Sequence, residues 1–187
     1  MEEKIIEVVL LIIILAKEDI KAWWKHRKRG KLKDKISRDH YIRETLKTLV
    51  QKWDADRATV HILHNGQVFA TGSHMNKFTM VHEYSLPHVA STRHLFQGVM
   101  IETYPALTYE LIVKGTCSVA NREELAPGPF QQMLALTTTQ QAYYVAIQKN
   151  GKMVGFITLE FLTYRNIIEH DVLKVLQEKV GLIRDKI

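Results

Sequence analysis

A twelve-residue apolar segment, residues 5–16 with the sequence IIEVVLLIIILA, constrains this chain more than any other feature. Glu7 is the only charged residue in it. As a helix the segment would be about 18 Å long, whereas the hydrocarbon core of a bilayer is about 30 Å thick. Lys17 and Lys21 can snorkel and so lengthen the apolar part of the helix. The segment therefore predicts a membrane anchor that either spans the bilayer or lies at its interface.

Two tryptophans and a basic run follow this segment, with the sequence WWKHRKRGKLK. Interfacial tryptophans and juxtamembrane Lys/Arg clusters are typical of membrane-bound segments and of contact with anionic lipid surfaces. The residues predicted to contact the membrane are Leu10, Leu11, Ile12, Ile13, Ile14, Trp23, Trp24, Lys25, Arg27, Lys28 and Arg29. If the segment spans the bilayer, the Lys/Arg excess after it places the body of the chain on the cytoplasmic side.

Another interpretation of the apolar segment is an oligomerisation helix, buried against copies of itself or against a partner in a larger assembly. A signal peptide is disfavoured, because the chain starts with acidic rather than basic residues and no small-residue cleavage site follows. The choice between an anchor and an oligomerisation helix stays open at the level of sequence.

The positive charge of the chain is concentrated in its first part. The formal net charge is +6, and residues 17–35 carry nine Lys/Arg against three Asp/Glu. The first sixteen residues carry one Lys and three Glu, which leaves about +2 for residues 36–187. A nearly neutral body does not predict a nucleic-acid-binding face. We divide the chain into an anchor or oligomerisation helix (1–24), a basic linker (25–37) and one domain (38–187).

Helices and strands alternate along the predicted domain. An apolar stripe predicts a helix that ends near Trp53, and the closing helix covers residues 168–187. Extended segments are predicted at 58–63, 67–70, 77–84, 99–102, 116–120, 141–148 and 152–161, and short helices at 106–113 and 129–136. Asn65-Gly66 and Asn150-Gly151 each predict a tight hairpin turn. This order indicates an α/β arrangement built on an antiparallel sheet.

Several motifs of the domain resemble those of a known family. The stretch ADRATVHILHNG (55–66) is similar to the opening of a GAF-like variant group found in bacterial and phage proteins, and GSHMNKFTMVHE (72–83) to its continuation. Lys114-Gly115, then YVAI (144–147), NGK (150–152), GFI (155–157) and Glu160-Phe161 fit GAF domains more broadly. The resemblance covers residues 38–187.

The resemblance implies a fold and a way of working. It implies a six-stranded antiparallel sheet with helices on one face and, on the other, a pocket for a cyclic nucleotide, a tetrapyrrole or a metabolite. Many such domains dimerise through their first and last helices, here 38–53 and 168–187. No nucleotide-binding motif is matched, and the cysteine that attaches bilins has no equivalent, so the cofactor is left unassigned.

Polar residues around the first predicted hairpin are the candidate ligand-binding set. They are His64, Asn65, Lys77, Thr79, His82 and Glu83. In an alternating strand Lys77, Thr79 and Glu83 share one side, whereas His82 lies on the other. The alternative for His64-Asn65-Gly66 is a purely structural turn, with Gly accepting positive φ and Asn bonding locally.

The sequence predicts neither a metal site nor catalysis. His61 and His64 are three residues apart on a strand and so face opposite sides of the sheet, and no HExxH or CxxC motif accompanies them. Cys117 is the single cysteine, whereas a methionine sulfoxide reductase of GAF fold needs a catalytic and a resolving thiol. The isolated glycines form no phosphate-binding loop.

These features predict a membrane-tethered, non-catalytic GAF-like module. It would bind a small ligand or a protein partner in trans, and it would self-associate through its helices. The alternative is a structural subunit of a larger assembly, such as a phage particle, in which the N-terminal helix packs against other subunits. Nucleic acid is not expected as a partner.

Overall fold

The computed structural model describes the backbone of residues 31–68 and 74–187 and the side chains of residues 31–64 and 76–187. The predicted anchor (1–24) and the predicted membrane-contacting residues lie outside the described residues. Within the described ranges, no helix combines the length and the apolar character needed to cross a membrane. Residues 41–187 form one compact unit, and the following description concerns that unit.

Four helices and six strands make up the described chain. The helices are α1 (31–53), α2 (Pro105–Val113), α3 (Pro129–Leu136) and α4 (Glu169–Arg184). The strands are β1 (Arg57–Val68), β2 (His74–Ser85), β3 (Val99–Met100), β4 (Thr116–Val119), β5 (Gln141–Lys149) and β6 (Lys152–Phe161). All strand pairs are antiparallel, in the order β3-β2-β1-β6-β5-β4. The predicted six-stranded antiparallel sheet is confirmed.

The first and last helices cover one face of the sheet, which we call the α1/α4 face. The apolar stripe predicted on α1 is buried, since Ile42, Leu46, Leu49 and Val50 are each at most 1% exposed. They pack in one cluster with Val172, Leu176 and Ile183 of α4 and with Ala58, Val60, Ile157 and Leu159 of the central strands. Helix α1 ends where Asp54 takes a left-handed conformation (φ 49°) and Ala55 N donates to Val50 O.

The opposite side, the α2/α3 face, is covered by the two short helices. Leu107 and Leu111 of α2 and Met133 and Leu134 of α3 are buried there. They pack against aromatic residues, mainly Phe78, Phe96, Tyr144 and Phe156. This is the face on which the resemblance implies a ligand pocket, so any such pocket lies beneath α2 and α3.

The two Asn-Gly pairs behave differently. Asn150 and Gly151 have φ of 53° and 71°, so they form the predicted tight turn between β5 and β6. Asn65, in contrast, pairs with Asn76, and Val68 pairs with His74. The prediction of a turn at Asn65-Gly66 is therefore wrong: β1 and β2 stay paired beyond this dipeptide, with a register shift between Asn65 and Val68.

Candidate functional site

Three of the predicted ligand-binding residues lie close together on β1 and β2. Nε2 of the exposed His64 and Oγ1 of Thr79 are 2.9 Å apart, within hydrogen-bond distance. Lys77 is the cross-strand partner of His64. The side chain of Asn65 lies outside the described residues. Thr79 Oγ1 also accepts a hydrogen bond of 2.9 Å from Gly98 N, so this threonine holds the chain that follows β2.

Glu83 holds the other part of the chain that follows β2, at residues 91 and 92. Its carboxylate accepts hydrogen bonds from Ser91 Oγ, from Thr92 N at 2.9 Å and from Thr92 Oγ1 at 3.3 Å. Between these anchors, Met80 N donates to Phe96 O at 2.8 Å. Glu83 and Thr79 therefore fix residues 91–98 along the outer edge of β2, a structural role that the sequence did not indicate.

A β-bulge at Val81 corrects the predicted sidedness of β2. Val60 pairs with His82 and His61 with Met80, so Val81 is an extra residue in β2. Cross-strand partners share a face of the sheet. Glu83, opposite Thr59, therefore lies on the α2/α3 face, whereas His82, opposite Val60, lies on the α1/α4 face. The prediction that Lys77, Thr79 and Glu83 share one side is wrong, because the bulge reverses the alternation between Thr79 and Glu83.

A second polar site, which the sequence did not identify, is centred on His61 beneath α2 and α3. The His61 ring is 3% exposed and stacks on Phe156, with ring centroids 4.4 Å apart and planes at 9°. Phe78 and Phe96 contact the ring edge-on, at 5.5 Å and 5.4 Å. Phe156 can approach so closely because Gly155 precedes it: a Cβ at Gly155 would lie 2.2 Å from the carbonyl oxygen of His61.

Polar side chains extend from His61 along the centre of the sheet. His61 Nε2 is 2.9 Å from Thr59 Oγ1, and Thr59 Oγ1 is 2.5 Å from Thr158 Oγ1. Thr158 donates to Glu160, which forms a buried ion pair with Arg57 at 2.6 Å. Thr139 also donates to this carboxylate, and Arg57 donates further to Ala90 O and Thr137 O. Both charges are thus paired and hydrogen-bonded, as buried charges require.

A small cavity of about 10 Å³ adjoins these residues. It is lined by His61, Phe78, Phe96, Tyr104, Leu107, Met133, Tyr144, Phe156, Thr158 and Glu160, and we call this set the His61 pocket. Such a volume accommodates about one water molecule. His61 Nδ1 is buried and has no hydrogen-bond partner among the described residues. The lining of the pocket is therefore largely aromatic, and it includes a histidine ring with one nitrogen that has no partner in the described part of the chain.

Comparison with solved structures identifies the fold. The cyanobacteriochrome receptor PixJ matches with a TM-score of 0.63 at 10% identity, covering 81% of this chain and 95% of that chain. The GAF domain region of a Geobacter sulfurreducens PCA protein described as a membrane protein matches with a TM-score of 0.61 at 12% identity (84% and 97% covered). A phycoerythrobilin-bound GAF domain of a cyanobacterial phytochrome matches with a TM-score of 0.61 at 14% identity (86% and 90% covered).

The chain has a GAF-like fold. At these identities the match concerns the fold alone. No family model and no curated protein matches the sequence. The site of this GAF-like domain therefore has to be understood from its own residues.

Two buried groups of this GAF-like domain, His61 and Cys117, have pKa values shifted away from neutrality. Burial, with a smaller contribution from the charge of Arg57, lowers the pKa of His61 to about 3. Burial, and then the charge of Glu110, raises the pKa of the Cys117 thiol to about 12. Near neutral pH His61 is an uncharged ring and Cys117 a protonated thiol. Within the described residues, no group of three or more His, Cys, Asp or Glu side chains could hold a metal ion.

The sequence does contain a signal for the His61 pocket of this GAF-like domain, although a weak one. Arg57, Thr59 and His61 occupy alternate positions of β1, and Thr158 and Glu160 alternate positions of β6. Alternation places each set on one face of its strand. An apolar residue separates each polar pair, so the pattern could have indicated a polar strip on one face of a buried sheet.

Proposed function

We propose that this protein is a non-catalytic binding module, tethered to a membrane by its first residues, which holds a small ligand in the His61 pocket. The observation that carries the proposal is the free Nδ1 of the buried His61 ring beside a cavity. A buried polar atom without a partner costs free energy, which a hydrogen-bonding ligand would recover. The match to a GAF domain named as phycoerythrobilin-bound supports a ligand-holding role for the fold.

The chemistry of the described residues favours binding over catalysis. A general base is most effective when its pKa is near the working pH, whereas burial keeps the pKa of His61 at about 3. A cysteine nucleophile acts as the thiolate, whereas the Cys117 thiol has a pKa of about 12. Glu160 is engaged by Arg57, Thr139 and Thr158. None of these groups is poised to transfer a proton or attack a substrate.

The tether and the self-association are supported by sequence and by surface exposure. The apolar segment 5–16 and the basic run after Trp24 favour an anionic lipid surface over a protein partner. Tyr41 of α1 and Leu182 of α4 are 37% and 45% exposed, so both helices present apolar surface beyond what the core buries. We propose that copies associate through these helices and that the body lies on the cytoplasmic side.

A thermal-shift screen of the full-length chain tests ligand binding. The panel contains cyclic nucleotides, biliverdin and uncharged aromatic metabolites, each at saturating concentration. A ligand present at about one hundred times its Kd stabilises the folded state by about 2.7 kcal/mol, which raises the Tm by several degrees. The shift should disappear in His61→Leu and persist in the control His170→Leu, which changes an exposed histidine of α4. If no compound moves the Tm of the unaltered chain, the ligand-binding function is wrong.

Flotation with vesicles tests the tether against the assembly alternative. The full-length chain should rise with vesicles that contain anionic lipid, and the doubly substituted Leu11→Asp, Ile13→Asp chain should remain at the bottom. Lys179→Ala, a charge change on α4, serves as the control and should float. If the unaltered chain stays at the bottom as a discrete oligomer, the structural-subunit function replaces the tethered module.

A further inference from the structure

The charges of the His61 pocket are balanced within the protein. Glu160 is the only acidic residue that lines the cavity among the described residues, and Arg57 Nη2 lies 2.6 Å from it. Arg57 itself is 1% exposed and donates to three further oxygens, those of Ala90, Thr137 and Thr139. A charged ligand would therefore be buried without a counter-ion, which is strongly unfavourable.

The polar atoms of the lining include one ring nitrogen of His61 and the hydroxyl groups of Tyr104 and Tyr144. His61 Nε2 is occupied by Thr59, and Nδ1 is free. Because burial keeps His61 neutral, Nδ1 can make one hydrogen bond as a donor or as an acceptor, according to the tautomer. A ligand that fits this pocket thus needs a polar group complementary to Nδ1 and a largely apolar body.

The shape of the pocket favours a flat ring. Phe156 lies parallel to the His61 ring, while Phe78 and Phe96 contact it edge-on. Aromatic rings attract one another in these stacked and edge-to-face arrangements. A planar ligand can make the same contacts, whereas a branched aliphatic ligand cannot.

The residue that such a ring would replace is Phe96. The cavity of about 10 Å³ is too small for a ring, so a wall side chain has to move. Among the aromatic side chains around His61, Phe78 and Phe156 belong to strands in the sheet, whereas Phe96 follows the short 3₁₀ turn Arg93–Leu95 in the connection from β2 to β3. The Phe96 side chain is not part of the sheet ladder between β1, β2 and β6, so it can rotate away while its carbonyl oxygen keeps the hydrogen bond from Met80 N.

We propose that the ligand of the His61 pocket is a small uncharged heteroaromatic ring with one hydrogen-bonding group, which takes the place of Phe96 against His61. This inference rests on the proposed ligand-binding function and makes it specific. It separates this protein from binders of anionic ligands such as cyclic nucleotides, because the pocket supplies no free positive charge.

The test compares four probes on the full-length chain by titration calorimetry: indole, indene, indole-3-acetate and a cyclic nucleotide. Indole should bind, and indene, which has the same shape but no N–H, should bind roughly threefold to tenfold more weakly. Indole-3-acetate and the cyclic nucleotide should not bind measurably. His61→Leu should remove the preference for indole over indene.

Substitution of Phe96, the residue that the ligand would displace, provides a second test of the proposal. Phe96→Ala should bind indole about tenfold more tightly or better, since the space is already open, whereas Leu95→Ala, at a neighbouring position that is 41% exposed, should leave the affinity unchanged. Binding of the cyclic nucleotide or biliverdin without binding of indole would overturn the ligand class and leave the binding function standing. Binding of indole by Phe96→Ala but not by the unaltered chain would show that Phe96 is a fixed part of the core, and would also overturn the inference.

Discussion

The two faces of the central strands differ in kind, although both are buried. Towards the α1/α4 face, β1 and β6 present Ala58, Val60, Ile157 and Leu159, all without polar side-chain atoms. Towards the α2/α3 face the same strands present polar side chains, namely Arg57, Thr59, His61, Thr158 and Glu160. An apolar face is sufficient for stability, and buried polar groups cost free energy unless they are paired. The difference indicates that these strands contribute apolar packing on the α1/α4 face, whereas on the α2/α3 face they add a buried polar network to the packing.

Loss of the ion pair on the α2/α3 face should have the largest effect. Glu160→Gln leaves the Arg57 guanidinium buried beside a neutral group, and we expect the free energy of unfolding to fall by about 3–5 kcal/mol. Urea denaturation at pH 7 measures it. The double variant Arg57→Met, Glu160→Leu should recover most of the loss, because no uncompensated charge remains. A loss below about 1 kcal/mol in Glu160→Gln would mean that water reaches this pair.

Truncation of a core side chain on the α1/α4 face should lower the free energy of unfolding slightly less than loss of the ion pair does. It should leave ligand affinity unchanged. Leu46 is fully buried, so Leu46→Ala should lower the free energy of unfolding by about 3 kcal/mol. The exposed Leu182→Ala on α4 should change it by less than about 0.5 kcal/mol. Ligand affinity at 10 °C, where both variants remain folded, should be unchanged. An affinity loss in Leu46→Ala would contradict the separation of roles between the faces.

The next largest effect should be on the pH dependence of the free energy of unfolding, to which His61 on the α2/α3 face contributes. Because burial lowers the pKa of His61 from 6.5 to about 3, the unfolded chain takes up a proton below pH 6.5 that the folded chain does not. His61 therefore favours unfolding as the pH falls, by about 2 kcal/mol at pH 5 relative to pH 7.5. Denaturation of the unaltered chain and of His61→Leu at both pH values gives the difference. An identical pH dependence in the two proteins would show that His61 is accessible to solvent protons.

The smallest effect is expected at Glu83. Glu83→Ala removes the acceptor of the Ser91 and Thr92 hydrogen bonds, and we expect a loss of about 1 kcal/mol. Hydrogen exchange at the Thr92 amide should accelerate, with no change at Val60 in the core. His170→Ala, which removes an exposed side chain from α4, is the control. Equal exchange at Thr92 in both variants would mean that Phe96, rather than Glu83, holds the connection in place.

Local patterns predicted most elements of this fold. The bounds of α3 and β6 match the sequence prediction. Helix α3 begins at Pro129, and proline is favoured in the first turn of a helix. Strand β6 is an apolar run that is bounded by a turn. The same dipeptide, however, gives a turn at Asn150-Gly151 and strand at Asn65-Gly66. Whether Asn-Gly forms a turn or part of a strand depends on which residues pair across the hairpin. A local sequence pattern does not carry that information.

The site was less predictable, because it depends on contacts distant in sequence. Arg57 and Glu160 are 103 positions apart, and their pairing follows from the adjacency of β1 and β6. The candidate residues His64, Lys77 and Thr79 do lie near one another, whereas Glu83 is separated from them by the bulge. Whether they bind a ligand stays a prediction.

Because of the bulge at Val81, the number of residues in β2 decides which face of the sheet each of its side chains lies on. Removing one residue between Met80 and His82 would restore plain alternation. Either the half of β2 before this point or the half after it would then exchange its inward and outward side chains. Single-residue deletions here should thus be far more damaging than any substitution at Val81, a contrast that deletion scanning of β2 would display directly.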